Sequence, residues 1–285
     1  MNRHATMRWL ERNWLALLAA VLVVIPACGF ILGSAFFLTY IYWPVPYSAL
    51  AAPQINPATQ QITLIAHGLG DSDASWTASL RDTLQQKADT GGEPRQVIAL
   101  DWSAYSKSAL RCSVDGLRIG EKLGSEIAES AALHSLHLIG HSCGAFLVLG
   151  LCEALKARRH DILVQTTYLD PVSIYGGVFW NYGLKHFGSC ADFSDAYIDT
   201  EDKVTGSNQL LPNSYTVDVT AARKRSGSAF APHIWPVHYY SRLIESGYHP
   251  HIDENGAPWQ CYPRGTMHKA DTLPTAETGT CAGTI

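Results

Sequence analysis

Short apolar runs alternate with longer amphipathic segments from about residue 61 onward. The longer segments carry apolar residues at helical spacing, as Leu117, Leu123 and Ile127 do. The pattern predicts four strands, at Ile62–Ala66, Val97–Leu100, Leu136–Ile139 and Leu163–Leu169. It predicts helices between and after them, at Ala74–Ala88, Gly116–Ala132 and Ala145–Arg158. This alternation is typical of an α/β fold with a mostly parallel central sheet and helices on both faces.

The later part of the chain repeats the pattern more weakly. Two short apolar stretches and one aromatic amphipathic stretch predict further elements, namely strands at Tyr197–Ile198 and Tyr215–Val219 and a helix at His238–Glu245. The remaining C-terminal residues have no apolar periodicity, and they predict a loop-rich tail.

A long uncharged segment precedes this domain. No charged residue occurs from Trp14 to Trp43, and about thirty residues of helix would measure about 45 Å, more than the ~30 Å hydrocarbon core. Aromatic residues lie near both ends, as is common at membrane interfaces. We predict a cytoplasmic N-terminus at 1–13, a transmembrane anchor at 14–43, a linker at 44–60 and the α/β domain at 61–285.

The charges that flank the span predict its orientation. Arg3, Arg8 and Arg12 precede it, and the next Lys or Arg is Arg81. The positive-inside rule therefore places the N-terminus in the cytoplasm and the domain outside it. A cleaved signal peptide or lipoprotein signal is the alternative. The apolar run continues well past Cys28, which favours an uncleaved, single-pass anchor.

Net charge and cysteine content indicate which partners and which compartment to expect. The net charge of −4 and the absence of a basic cluster argue against a nucleic-acid partner. Six of the seven cysteines follow the span, an even number that suits a disulfide-permissive compartment. We expect a Cys261–Cys281 bridge to close the Pro- and Thr-rich tail, and we expect Cys143 and Cys152 to be free thiols.

The sequence predicts neither a metal nor an organic cofactor. No cysteine spacing is typical of a zinc site. His249 and His251 form an H-x-H pair close to Asp253 in sequence, but the pattern has no third well-placed ligand of the kind that a catalytic metal needs.

The pentapeptide Gly140–Gly144 matches the pattern G-x-S-x-G. It directly follows the predicted strand Leu136–Ile139 and opens the predicted helix Ala145–Arg158. A strand that enters a helix so abruptly holds the central serine in a strained backbone conformation, and the glycines leave room for it. We predict that Ser142 is a nucleophile at the end of the strand. The alternative is an ordinary turn.

A glycine-rich turn follows the first strand. In His67–Gly70, the two glycines allow backbone N–H groups to come close to a substrate oxygen. Because the second donor of an oxyanion hole is the residue after the nucleophile, we predict donors at Leu69 and Cys143. The alternative is a tight turn with a buried structural histidine.

An acid and a base are expected after the serine, in the chain order that accompanies this motif. Asp170 ends the strand Leu163–Leu169, where a carboxylate can orient an imidazole. Asp199 and Asp202 are the next candidates for the acid. His233 lies in a loop just before an aromatic helix start, and we predict that it is the base.

Together these segments resemble the α/β-hydrolase fold, and within it the lipase group that includes the pancreatic and lipoprotein lipases and their bacterial relatives. The matching segments are Leu64–Leu69, Leu100–Ser103, Gly140–Gly144, Leu169–Pro171 and His233 with Tyr239–Tyr240. The resemblance implies that Ser142 is the nucleophile, Asp170 the acid and His233 the base.

The resemblance also implies a function, which we state as an expectation. A serine hydrolase would cleave carboxylic esters or lipids through an acyl-enzyme. An acyltransferase or amidase would use the same residues, and a membrane-anchored binding protein without catalysis is a third reading. The chain has no room for the C-terminal β-sandwich of pancreatic lipases. The aromatic segment Tyr175–Cys190 is expected to form either a lid over the site or part of the core.

Overall fold

The computed structural model describes residues 12–51, 53–91, 94–247, 251–252 and 258–274. The chain forms two compact units, which divide between Val45 and Pro46. The first unit contains helix α1, Arg12–Tyr42, which is long and apolar enough to cross a membrane. Its turn at Ala20–Val24 is π-helical and directly precedes Pro26. The proline lacks an N–H and crowds the preceding turn, which explains the local widening.

The second unit is built on one parallel sheet. Within the described residues it has seven strands in the order β2-β1-β3-β4-β5-β6-β7, and every neighbouring pair is parallel. The strands are β1 Gln61–Ala66, β2 Arg95–Leu100, β3 Ser135–His141, β4 Leu163–Leu169, β5 Phe193–Ile198, β6 Tyr215–Asp218 and β7 Met267–Lys269. The order reverses at β1 and β3, and such a switch point leaves a crevice at the carboxyl ends of the two strands.

Helices cover both faces of this sheet. They are α2 Trp76–Gly91, α3 Cys112–Ile127, α4 Gly144–Arg158, α5 Tyr182–His186, α6 Thr220–Ser226 and α7 Trp235–Glu245. Consecutive residues of β1 point to opposite faces, so that Leu64 joins the core under α3 and α4, whereas Ile65 joins the core under α2 and α7. The predicted fold class is thereby confirmed.

The predicted strands and helices before residue 170 are all present, with ends that differ by a few residues. Sequence reasoning missed three short elements of the later chain, namely α5, α6 and β7. Strand β7 is three residues long and exposed, so its sequence carries no apolar pattern that would reveal it.

Of the predicted linker at 44–60, the described residues from Pro46 onward belong to the second unit. Tyr47 Oη donates to Asp115 Oδ1 at 3.2 Å, and the Ala49 N–H donates to Tyr105 Oη at 2.9 Å. This stretch lies with the domain rather than as a free connection, because its polar groups and Tyr47 find partners there.

The expectation that Cys143 and Cys152 are free thiols was wrong. The structure pairs Cys112 with Cys143 and Cys152 with Cys190, and the Cα atoms are 6.0 Å apart in both bridges. This separation is within the normal range for a disulfide. Close packing of α3 on α4 brings the first pair together, and that packing has no signature in the local sequence.

Other expectations concern residues that lie outside the described part of the chain. Cys281, the second member of the expected Cys261–Cys281 bridge, is one of them. His249 and Asp253 are also outside it.

Candidate active site

Ser142 lies in the sharp turn between β3 and α4, with a φ of +54°. Only close backbone packing makes this turn possible. A Cβ on Gly144 would be 2.4 Å from the His67 carbonyl oxygen, and a Cβ on Gly68 would be 2.8 Å from the Ser142 Cβ. Both positions therefore require glycine, and the glycines bring the serine against the loop that follows β1.

The structure brings the three predicted triad residues together. His233 Nε2 is 2.9 Å from Ser142 Oγ, and His233 Nδ1 is 3.1 Å from Asp170 Oδ2. With the ring proton on Nδ1, the histidine donates to the carboxylate and leaves Nε2 free to accept the serine proton. Ser142 and Asp170 are buried, while the His233 side chain keeps 21% of its surface exposed.

A second carboxylate also contacts the histidine. Asp202 Oδ2 is 2.8 Å from His233 Nδ1, closer than the oxygen of Asp170. The third candidate acid has another partner, since the Asp199 carboxylate pairs with Arg223. Of the acids considered from the sequence, Asp170 and Asp202 therefore reach the imidazole.

Burial and charge shift the pKa values of this cluster. Burial alone would lower the pKa of His233, but the hydrogen bonds and charges of Asp170 and Asp202 outweigh it and raise that pKa. Burial raises the pKa of Asp170 to about 7, although His233 opposes the rise. For Asp202, burial is outweighed by hydrogen bonds from Ser207 and by the charge of His233, and its pKa is lowered.

His141, the residue before the serine, contacts His233. Its Nε2–H donates to the His233 carbonyl oxygen at 3.0 Å, and the two rings are 4.9 Å apart. Burial, with the charge of His233, lowers the pKa of His141 to about 3, so the ring stays neutral. This contact was missed from the sequence, because it joins residues far apart in the chain.

The predicted oxyanion donors lie in the two segments that meet at the serine. Leu69 lies in the loop after β1, and Cys143 directly follows Ser142 at the start of α4. Within the part of the chain that the structure describes, the backbone N–H of neither residue has a hydrogen-bond acceptor. Both donors therefore remain available for a substrate oxygen.

The aromatic segment Tyr175–Cys190 divides into two parts. Its second half packs inward, with Phe187 fully buried, whereas Phe179 and Trp180 are 54% and 60% exposed. Trp180 also lines a cavity of about 360 Å³, together with residues 202–209. The segment thus contributes both to the core and to an apolar rim beside the candidate triad.

The same residues are also close enough together to be considered as metal ligands. Asp170, Asp202 and His233 have donor atoms within 4.8 Å of one another, and they are the one such group among the described residues. These atoms already make the hydrogen bonds among the three side chains. The arrangement therefore suits proton transfer, and it supplies no further ligand for a metal ion.

A parallel sheet with a strained serine after its third strand, and with acid and histidine after later ones, defines the α/β-hydrolase fold. Residues 63–277 match the alpha/beta hydrolase family. This match covers most of the chain, and the chain belongs to that family. The more specific resemblance to lipases is not established by the match. No curated protein sequence matches the chain.

Several solved structures are similar to the chain at low sequence identity. One, classed in the alpha/beta hydrolase superfamily, is from Xanthomonas campestris pv. campestris, with 12% identity, coverage of 64% of this chain and 95% of that one, and a TM-score of 0.42. A cell surface hydrolase, so titled, from Lactobacillus plantarum WCFS1 has 10% identity, coverage of 66% and 91%, and a TM-score of 0.40. A lipase-esterase related protein from Clostridium acetobutylicum has 13% identity, coverage of 55% and 82%, and a TM-score of 0.37.

Proposed function

We propose that this protein is a serine hydrolase that cleaves carboxylic esters through an acyl-enzyme on Ser142. The observation that carries the proposal is the 2.9 Å contact between Ser142 Oγ and His233 Nε2, with a carboxylate behind the ring. This geometry is what a general base needs in order to activate a hydroxyl. Membership in the hydrolase family supports the same reaction class.

In the first half-reaction, Ser142 Oγ attacks the ester carbonyl carbon while His233 Nε2 takes the hydroxyl proton. The carbonyl oxygen becomes negative, and the N–H groups of Leu69 and Cys143 stabilise it. Asp170 keeps the imidazolium oriented. As the tetrahedral intermediate collapses, the alcohol leaves with the proton from Nε2, and the acyl group remains on the serine.

In the second half-reaction, water replaces the alcohol. His233 Nε2 removes a proton from the water as its oxygen attacks the acyl carbon, and the same two N–H groups again hold the oxyanion. Collapse of this intermediate returns the proton to Ser142 Oγ and releases a carboxylic acid. Two exposed apolar side chains lie near the site: Leu69, in the loop after β1, and Trp180, which lines a cavity together with Asp202. They favour an ester with an apolar acyl group.

The test is hydrolysis of p-nitrophenyl butyrate by the full-length protein in detergent micelles. Ser142→Ala should lower the rate about 10⁴-fold or more, because the nucleophile is lost. A fluorophosphonate probe should label the wild type and not this variant. Retained hydrolysis by Ser142→Ala would remove the serine from the mechanism, and an unlabelled, inactive wild type would favour a binding protein.

We further propose that α1 anchors the enzyme and that the catalytic unit lies outside the cytoplasm. Arginines precede the apolar span and none follows until Arg81. The two described disulfides also suit an oxidising compartment. Alkaline phosphatase fused after residue 274 should be active in a bacterial host. A fluorescent protein that folds only in the cytoplasm should be dark at the same position, and the reverse pattern would invert the orientation.

A further inference from the structure

Two carboxyl groups, rather than one, lie behind the imidazole of His233. Nδ1 is 2.8 Å from Asp202 Oδ2 and 3.1 Å from Asp170 Oδ2. The donor atoms of all three residues lie within 4.8 Å of one another. In a buried site, two full negative charges at this distance repel strongly, and one carboxyl of such a pair usually keeps a proton.

The two carboxyls receive unequal support from the chain. Asp202 Oδ2 accepts a short hydrogen bond from Ser207 Oγ, and its Oδ1 accepts the Val204 N–H at 3.2 Å. Asp170 is fully buried, and its Oδ1 accepts the Asn208 N–H at a long 3.4 Å. Hydrogen bonds favour the ionised form and burial opposes it. The surroundings therefore favour charge on Asp202 and the proton on Asp170.

We propose that Asp170 and Asp202 form a carboxyl–carboxylate pair that holds one proton and orients His233 as a unit. The inference rests on the proposed function, since it gives Asp202 a positioning role toward the same histidine. The directions of the two pKa shifts agree with it. Burial raises the pKa of Asp170 to about 7, with a further rise from Asp202, whereas Ser207 and His233 outweigh burial and lower the pKa of Asp202.

Two neighbouring titratable groups, His141 and Asp199, do not share this proton. From β3, His141 faces His233, and burial keeps it neutral by lowering its pKa to about 3. On the loop after β5, the Asp199 carboxylate is paired with Arg223 of α6. The shared proton therefore belongs to Asp170 and Asp202.

The pair makes each carboxyl a partial substitute for the other. When one is replaced by an amide, the remaining carboxyl has no charged neighbour of the same sign, so its pKa falls, although burial still raises the pKa of Asp170. It then accepts the His233 Nδ1–H alone. Losing both leaves the imidazolium without a counter-charge, so the double substitution should cost far more than the product of the two single ones.

The experiment measures kcat/KM for p-nitrophenyl butyrate with full-length Asp170→Asn, Asp202→Asn and the double variant. Each single variant should lose about 10- to 10²-fold, and the double variant more than the product of the two, up to about 10⁵-fold. The loss of a sole triad acid is about 10⁴-fold. In parallel, pH-difference infrared spectroscopy is done in an Asp195→Asn background, because burial also raises the pKa of Asp195 to about 7. The carbonyl stretch of a protonated carboxylic acid should appear below about pH 7; Asp170→Asn should abolish it, and Asp202→Asn should move its midpoint to lower pH.

A third substitution tests the shared proton while both carboxyls remain in place. Ser207→Ala removes the hydroxyl that donates to Asp202 Oδ2, so the pair should hold its proton to a higher pH, and the infrared band should persist at a pH where the wild type has lost it. This readout requires neither catalysis nor the loss of a carboxyl. Ser142→Ala provides the background rate for all variants.

Three results would overturn the pair. Asp202→Asn with wild-type kcat/KM, beside an Asp170→Asn variant as impaired as the double one, would make Asp170 the sole acid and leave the proposed function intact. The absence of the acid band in the Asp195→Asn background would remove the shared proton. An unchanged band midpoint in Ser207→Ala would do the same. Failure of the proposed function itself is separate, because it appears as activity retained by Ser142→Ala.

Discussion

Two disulfides hold α4, one next to the candidate nucleophile and one further along the helix. Removing each in turn gives a pair of matched variants. The Cys112–Cys143 bridge holds the residue that follows Ser142, whereas the Cys152–Cys190 bridge lies further along the helix. Replacing both members of either pair with alanine removes one bridge and leaves the other. Cys112, Cys143 and Cys152 are buried, and alanine adds no polar group there.

The expected loss of stability follows from the lengths of the closed loops. The bridges span 31 and 38 residues. The chain-entropy relation then gives about 3.7 kcal/mol for the first bridge and about 3.9 kcal/mol for the second. The two variants should therefore be destabilised almost equally, which guanidinium unfolding followed by tryptophan fluorescence would measure.

Catalysis should separate the two variants. Without its bridge, Cys143 can move, and its N–H is one of the two proposed oxyanion donors. Complete loss of one donor costs about 10²- to 10³-fold in kcat. A loosened donor should cost less, about tenfold, and the Cys152–Cys190 variant should keep wild-type kcat. Equal kcat in the two variants, with active sites counted by fluorophosphonate titration, would refute the reasoning.

Three further predictions concern backbone packing, the base and the core. Gly144→Ala should lower kcat/KM about 10²-fold, because its Cβ would lie 2.4 Å from the His67 carbonyl oxygen and force the backbone to shift by about 1 Å. Gly116→Ala is the control: its Cβ would make ordinary contacts of 3.4 Å, and this variant should keep its activity. The acid limb of kcat/KM should have its midpoint above pH 6.5, since the carboxyl partners of His233 outweigh burial and raise its pKa, and protonation removes the base. A midpoint at or below 6.5 would contradict this. Burial raises the pKa of Asp195 to about 7, so the folded state keeps a proton that the unfolded state releases above about pH 4, and stability falls as pH rises toward 7. Asp195→Asn should reduce that fall by about 3 kcal/mol between pH 5 and 8, and an equal pH dependence of the unfolding free energy in variant and wild type would contradict it.

Local signals in the sequence predicted the first half of the fold. Buried parallel strands read as short apolar runs, and the glycines around Ser142 mark a turn whose geometry permits no side chain. These features depend on neighbours within a few residues, so they can be read without knowing the rest of the fold. The exposed strand β7 lacks such a signal, and it forms because β6 offers a free edge.

The candidate site was predictable in kind, but its contacts were not. Sequence position favoured Asp170, which directly follows β4, but it did not show that Asp202, beyond the end of the neighbouring strand β5, also reaches His233. Both contacts depend on how loops pack, because the two carboxyls are 63 and 31 residues away from the histidine in sequence. The disulfide of Cys143 depends on a helix contact of the same long-range kind.

The strained backbone of the site is held by the sheet itself. Among the described residues, Ser142, Asp170 and Asn208 are the ones other than glycine with positive φ, and such conformations cost about 1–3 kcal/mol each. The Ser142 N–H donates to the Leu169 carbonyl at 3.1 Å, and the Asp170 N–H donates to the Tyr197 carbonyl at 2.8 Å. Each bond continues the ladder between neighbouring strands past the strand end. The hydrogen bonding that builds the sheet therefore also fixes the backbone of the candidate nucleophile and of the candidate acid.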